Sequence, residues 1–120
     1  MNYLDIFVIP VPDARRDDYI AHEEKWWPPF RKLGALSCVV GWGEDVPAGK
    51  HTDFQRAVDL AGGETVVVCW MTWPDKATRD AAHAAMKDAM SAEDMADMPF
   101  DGKRMIFGGF VPVLVKGATE

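Results

Sequence analysis

The sequence predicts an α+β fold built on one four-stranded antiparallel sheet, with strands and helices in the order βαββαβ. Three observations carry that prediction. Strand-like apolar runs and helical stripes alternate along the chain in this order. The turn signals between them are compact and leave no linker, repeat or low-complexity segment. The length of 120 residues matches one domain, taken as residues 1–120.

The first strand is Tyr3–Pro12 (YLDIFVIPVP), rich in β-branched residues and closed by Pro10 and Pro12. Asp13–Leu33 follows with helical spacing. Tyr19, Trp26, Phe30 and Leu33 form its apolar stripe, and Gly34 is placed to cap it. Pro28 and Pro29 remove two amide donors and predict a kink or break near Trp27. Ala35–Trp42 is the second strand, and it ends in the turn-rich GEDVPAGK. Thr52 and Gln55 have the spacing of a capping box and predict a short helix through Val58. TVVVCWMTW, after Gly62–Gly63, is the clearest strand in the chain. Asp75 is a natural N-cap for an alanine-rich helix through Met90, and Ser91–Asp94 caps one further turn. Lys103–Val115 is read as the fourth strand, with Gly108–Gly109 marking a bulge or a close approach of another backbone, placed at a dimer interface.

The strands are apolar on both faces. Tyr3, Phe7, Ile9 and Val11 alternate with Leu4, Ile6 and Val8, and Val66, Val68 and Trp70 alternate with Val67, Cys69 and Met71. Right-handed crossovers place both helices on one face, so the other needs a separate cover. A second copy of the same sheet is the simplest one. The expectation is a homodimer in which two ferredoxin-like sheets pack face to face as a dimeric α+β barrel, with Trp42, Trp70 and Trp73 filling the interface or the core.

Thirteen Lys and Arg against nineteen Asp and Glu give a net charge of −6, the opposite of what phosphate binding favours. An RNA-recognition motif shares the element order, but its basic-aromatic motif lies on the third strand. Here that strand is TVVVCWMTW, without a basic residue, so no nucleic-acid partner is expected. Cys38 and Cys69 sit in apolar runs and give no disulfide framework. No secretion signal or membrane-length apolar run is found, and a reducing cytoplasm is the default location.

Six residues are candidates for a site. His22 lies on the helical stripe, either as a general base or as a half-buried histidine bonded to backbone. Trp26 flanks the Trp-Pro kink, where a pocket between helix and sheet would open. Asp5 is the one charge in the first strand. It is expected to meet Arg56, Arg79, Lys103 or Arg104 in an ion pair, with a carboxyl of raised pKa as the sharper alternative. Arg56, Lys103 and Arg104 are cations at strand ends, and Lys103 and Arg104 lack an evident structural task. His22, His51 and His83 show no metal-ligand spacing, GxSxG and phosphate-loop motifs are absent, and no metal or cofactor is expected.

The blocks YLDIFVIPVP, GWGEDVPAGKHTDFQRAV, WMTWPDKATRD and DMPFDGKRMIFGGFVPVL closely resemble the YbaA-like family of bacterial proteins of unknown function, over nearly the whole chain. The chain departs from that pattern at Ile6, where glycine is expected, at Asp75, where serine is usual, and at Trp26-Trp27, where smaller residues are common. The resemblance implies a dimeric α+β barrel and no assigned reaction. The leading functional expectation is a small anionic or aromatic ligand held in a helix–sheet pocket, with or without cofactor-free enzymatic activity. The alternative is a protein-interaction module acting through the GEDVPAGKHTDF loop.

Overall fold

A computed structural model of the chain describes residues 2–117. The element order is β1 (Tyr3–Pro12), a 3-10 turn (Asp13–Arg15), α1 (Arg16–Lys32), β2 (Ser37–Trp42), α2 (Phe54–Ala57), β3 (Glu64–Trp73), α3 (Lys76–Ala89), α4 (Ala92–Ala96) and β4 (Ile106–Phe110). The strands form one antiparallel sheet in the order β2-β3-β1-β4, with the two longest strands at its centre. Both central strands are apolar on each face, as a doubly covered strand must be.

Register fixes which side chains share a face. Asp5 pairs with Met71 and Gly109, and Phe7 with Cys69 and Phe107, so the odd residues of β1 lie on one side. On that side Tyr3, Met71 and Trp73 pack with Ala82 of α3 and with Trp27, Phe30 and Leu33 around α1. Ile9, Val11, Val67 and Cys69 pack with Tyr19. Trp73 and Tyr19 are fully enclosed, and Trp42 lies at the edge of the second cluster, under the Arg16 guanidinium.

The opposite side is only partly covered. Val58 and Leu60, just after α2, pack on Val8, Val66 and Val68. Beyond them Trp70, Ile106 and Phe110 stand exposed on the same face as Leu4 and Ile6.

Several local expectations change. α1 runs unbroken through Pro28 and Pro29, because the packing of Trp27 and Phe30 on the sheet holds the helical path across the missing donors. Leu33 ends the helix and Gly34 follows at φ +115°, a left-handed conformation suited to glycine. α2 is capped by Asp53, not Thr52. Its carboxylate accepts from the Arg56 amide at 2.7 Å and from the Gly49 amide at 3.1 Å, closing the loop at two points. β4 is shorter than Lys103–Val115. Phe110 lies opposite Leu4, so β1 runs out one residue later. At the other end Pro10 offers no amide to continue the ladder. Asp75 does cap α3, accepting from the Thr78 amide at 2.7 Å, and Ser91 with Asp94 forms a capping box on α4.

Candidate functional site

A cavity of about 160 Å³ lies between α1 and the sheet. Trp26 and Phe30 of α1 form its roof, and Phe7, Ile9, Cys69 and Met71 form its floor. Met86 of α3, with Met90, Met98, Phe100 and Met105, closes the sides. Methionines and aromatics give such a wall both shape and adaptability. Its polar exceptions are His22 and Glu23, neighbours on α1.

His22 rests edge-on against Phe100, ring centroids 6.0 Å apart, and makes no hydrogen bond to a described residue. Burial, with Lys25 nearby, holds its imidazole below the usual histidine range, so the neutral ring faces the cavity. Burial pushes the Glu23 carboxyl upward against a weaker opposing effect of Tyr19. Beside it Cys38 Sγ and Cys69 Sγ are 3.8 Å apart on adjacent strands. The hydrogen bond between them lowers the Cys38 thiol, while the same bond and burial raise Cys69, so Cys38 is the sulfur that ionises first. The Tyr19 hydroxyl, raised chiefly by burial and also by Glu23, is enclosed and makes no well-formed hydrogen bond to a described residue.

A larger groove of about 410 Å³ between α1 and α4 is lined by charged residues. Two of its acids are paired, Asp94 with Lys25 at 3.8 Å and Asp18 with Arg15 at 3.2 Å, and the groove has the character of a solvated surface.

A second polar cluster sits at the other end of the helix-covered face. Asp5, 1 % exposed, receives Arg79 Nε at 2.8 Å on one oxygen and Trp73 Nε1 at 2.9 Å on the other. His83 Nε2 lies 2.8 Å from that second oxygen. Burial works to raise the Asp5 carboxyl, but the bonds from His83 and Arg79 outweigh it and hold the group below the usual carboxylate range. This is an ion pair that joins β1 to α3, and its bonds hold the carboxyl down where burial alone would raise it.

The six sequence candidates therefore separate. His22 and Trp26 line the cavity, and Asp5 is a structural tie to Arg79. Arg104 has a full structural task after all. Two of its nitrogens meet the Glu64 carboxylate at 2.7 and 2.6 Å, and it also reaches Asp101 and the Asp59 carbonyl. Arg56 lies 3.6 Å from Asp53 beside its own helix cap, and Lys103 is exposed. None of these three cations lines the cavity. Gly109 is also reassigned. A Cβ there would strike the Tyr3 hydroxyl, and would lie 2.9 Å from the Arg79 guanidinium, so contacts within the chain already require glycine here.

Glu23, Cys38, Cys69 and His83 escaped sequence reasoning as site residues. Arg79 and His83 are four apart on α3 and so share a face, a signal that points at Asp5 once β1 and α3 are known to touch.

Comparison with known proteins places the chain. Residues 2–102 match the model of a protein family of unknown function, DUF1428. The chain is a member of DUF1428. It is 45 % identical over 115 residues to the uncharacterized protein YbaA of Escherichia coli K12, covering 95 % of this chain and 98 % of YbaA. The YbaA of Shigella flexneri matches to the same extent. Among solved structures, two dimeric ferredoxin-like proteins from uncultured marine organisms resemble this DUF1428 chain. One has a TM-score of 0.60 at 14 % identity, covering 98 % of this chain and 100 % of the other. The second has a TM-score of 0.64 at 6 % identity, covering 97 % and 93 %. Rv0793 of Mycobacterium tuberculosis gives 0.54 at 13 % identity, covering 98 % and 100 %. These likenesses establish the ferredoxin-like fold of the DUF1428 chain.

Proposed function

We propose that this protein is a homodimer that binds a small apolar or aromatic molecule in the cavity beneath α1. The observation that carries the reading is the cavity itself: methionine and aromatic walls with His22 and Glu23 as the polar groups. Its volume of about 160 Å³ decides the ligand's size. Apolar cavities of about 150 Å³ hold a molecule the size of benzene, so a single ring or a short branched chain fits and a fused cofactor does not. The neutral His22 can give or take one hydrogen bond, and Glu23 favours a donor over an anion.

Dimerisation is supported by the bare sheet face and by the segment after β4. Val111, Val113, Leu114 and Val115 are 57–89 % exposed, and in-chain pairing ends before them. Two marine proteins of the same fold are described as dimeric. No described helix is long and apolar enough to cross a membrane, and two free thiols 3.8 Å apart fit a reducing compartment such as the cytoplasm.

The test is tryptophan fluorescence and thermal shift against a panel of single-ring phenols, anilines and benzoates. Saturable binding of one molecule per chain, weakened at least tenfold by Phe30→Trp, which fills the cavity, is the expected result. A panel with no binder, or binding unaffected by filling the cavity, would overturn it.

A further inference from the structure

We propose that Glu23, Cys38 and Cys69 form a site for a thiophilic divalent cation of the Zn2+ class. One ligand atom from each residue lies within 4.8 Å of the other two. The separation of the sulfurs is the telling distance. Tetrahedral zinc with Zn–S bonds of about 2.3 Å has an S···S edge of about 3.8 Å. Cys38 Sγ and Cys69 Sγ are 3.8 Å apart, already at that edge. The Glu23 oxygen already lies within 4.8 Å of both sulfurs, and its side chain has three rotatable bonds through which to approach the third vertex.

The surroundings lack the countercharge such a ligand set would otherwise have. Glu23 makes no ion pair with a described residue, and the nearby Lys25 is engaged with Asp94. The Tyr19 hydroxyl, fully buried in the same packed cluster as both cysteines, makes no well-formed hydrogen bond to a described residue, and Glu23 is the polar group that acts on it. A buried hydroxyl in that condition costs stability unless something occupies the space beside it. A water held on the cation would supply the fourth ligand of a tetrahedral site.

Access is also present. An open pocket of about 370 Å³ between α1 and β2 is bounded by Ile20, Glu23, Glu24, Trp27, Cys38 and Val40, so Glu23 and Cys38 face solvent through it. Glu24 adds a second acid at the rim, and the whole chain carries −6. The three ligands come from α1, β2 and β3, which is why no short motif announces the site. Glu23 and Cys69 also line the apolar cavity, so the ion would sit in its wall.

The test uses the full chain, reduced and freed of metal with a chelator. Zn2+ titrated against a chromophoric competitor should bind at one equivalent per chain and release thiol protons. Co2+ in its place should give thiolate charge-transfer and tetrahedral d–d absorption. Both signals should vanish in C38S and in C69S, and Glu23→Gln should weaken binding by more than about tenfold. If a serine variant fails to fold by circular dichroism, maleimide labelling of the wild type replaces it, and Zn2+ should slow modification of both thiols. No binding by the reduced wild type, binding unchanged in folded cysteine variants, or labelling indifferent to Zn2+ would each overturn the site. Ring-ligand binding in metal-free protein is read separately, so the two proposals fail independently.

Discussion

His83 Nε2 lies 2.8 Å from Asp5 Oδ2 although 78 residues separate them, and the same carboxylate holds Arg79 and the Trp73 indole. Three donors on one buried acid tie β1 to β3 and to α3 through a single group.

Asp5→Asn keeps the volume but leaves Arg79 without its countercharge, and should cost about 3 kcal/mol, since losing one partner of a buried pair is expensive. His83→Ala, at a side chain 32 % exposed, should cost about 1 kcal/mol. Urea unfolding at neutral pH measures both. Equal effects would show that the histidine, and not the ion pair, is the main tie.

The acid limb of stability should follow the same group. An unfolded aspartate titrates near about pH 3.9, and the folded Asp5 lies below its ordinary value. The unfolded chain therefore takes up the proton first. Asp5's contribution is complete above about pH 4 and is lost as pH falls through its folded value. Glu64, held down chiefly by its bond from Arg104, acts with the same sign. Glu23 acts with the opposite sign, because burial raises its carboxyl. Its contribution is present below about pH 4.3 and is lost as pH rises through the folded value. Urea midpoints should fall steeply below about pH 4, less steeply in Asp5→Asn. Glu23→Gln should stabilise metal-free protein at pH 7 by about 1 kcal/mol.

Gly109→Ala should cost about 1–3 kcal/mol, because the added methyl meets the Tyr3 hydroxyl and the Arg79 guanidinium. Gly108→Ala is the control, since its methyl meets only the Phe110 ring edge at 3.4 Å and should be near neutral. Similar losses at both glycines would indicate a general intolerance of β4 and not this contact.

Trp70→Glu tests the bare sheet face. Trp70 is 40 % exposed and faces away from the helices, so a charge there leaves the monomer's core untouched. Light scattering should give twice 13.3 kDa for the wild type and 13.3 kDa for the variant, with unchanged circular dichroism. A monomeric wild type at micromolar concentration would sink the dimer.

The fold was legible because its cause is local. A continuous β-branched apolar run closed by Pro10 and Pro12 defines β1 to the residue, and single side chains at Asp75 and Ser91 start two helices. The end of β4 was not legible, since it depends on where β1 stops. Nor was the Asp53 cap, which wins over Thr52 because a carboxylate can bind two amides at once. Of the candidate site, only His22 and Trp26 could be read, both on one helical stripe. Glu23, Cys38 and Cys69 meet because α1 crosses the β2–β3 pair, and that crossing is a product of packing.

The two prolines in α1 bear on how a molecule reaches an enclosed space. Without amide hydrogens at Pro28 and Pro29, the carbonyls of Glu24 and Lys25 have no ladder partner one turn below. The helix is therefore least cross-linked along the turn that carries Trp26, the roof of the cavity. Local breathing should start there, and amide hydrogen exchange should find that turn less protected than the β1–β3 centre. Occupancy beneath the indole would then be read as slowed exchange in one helical turn.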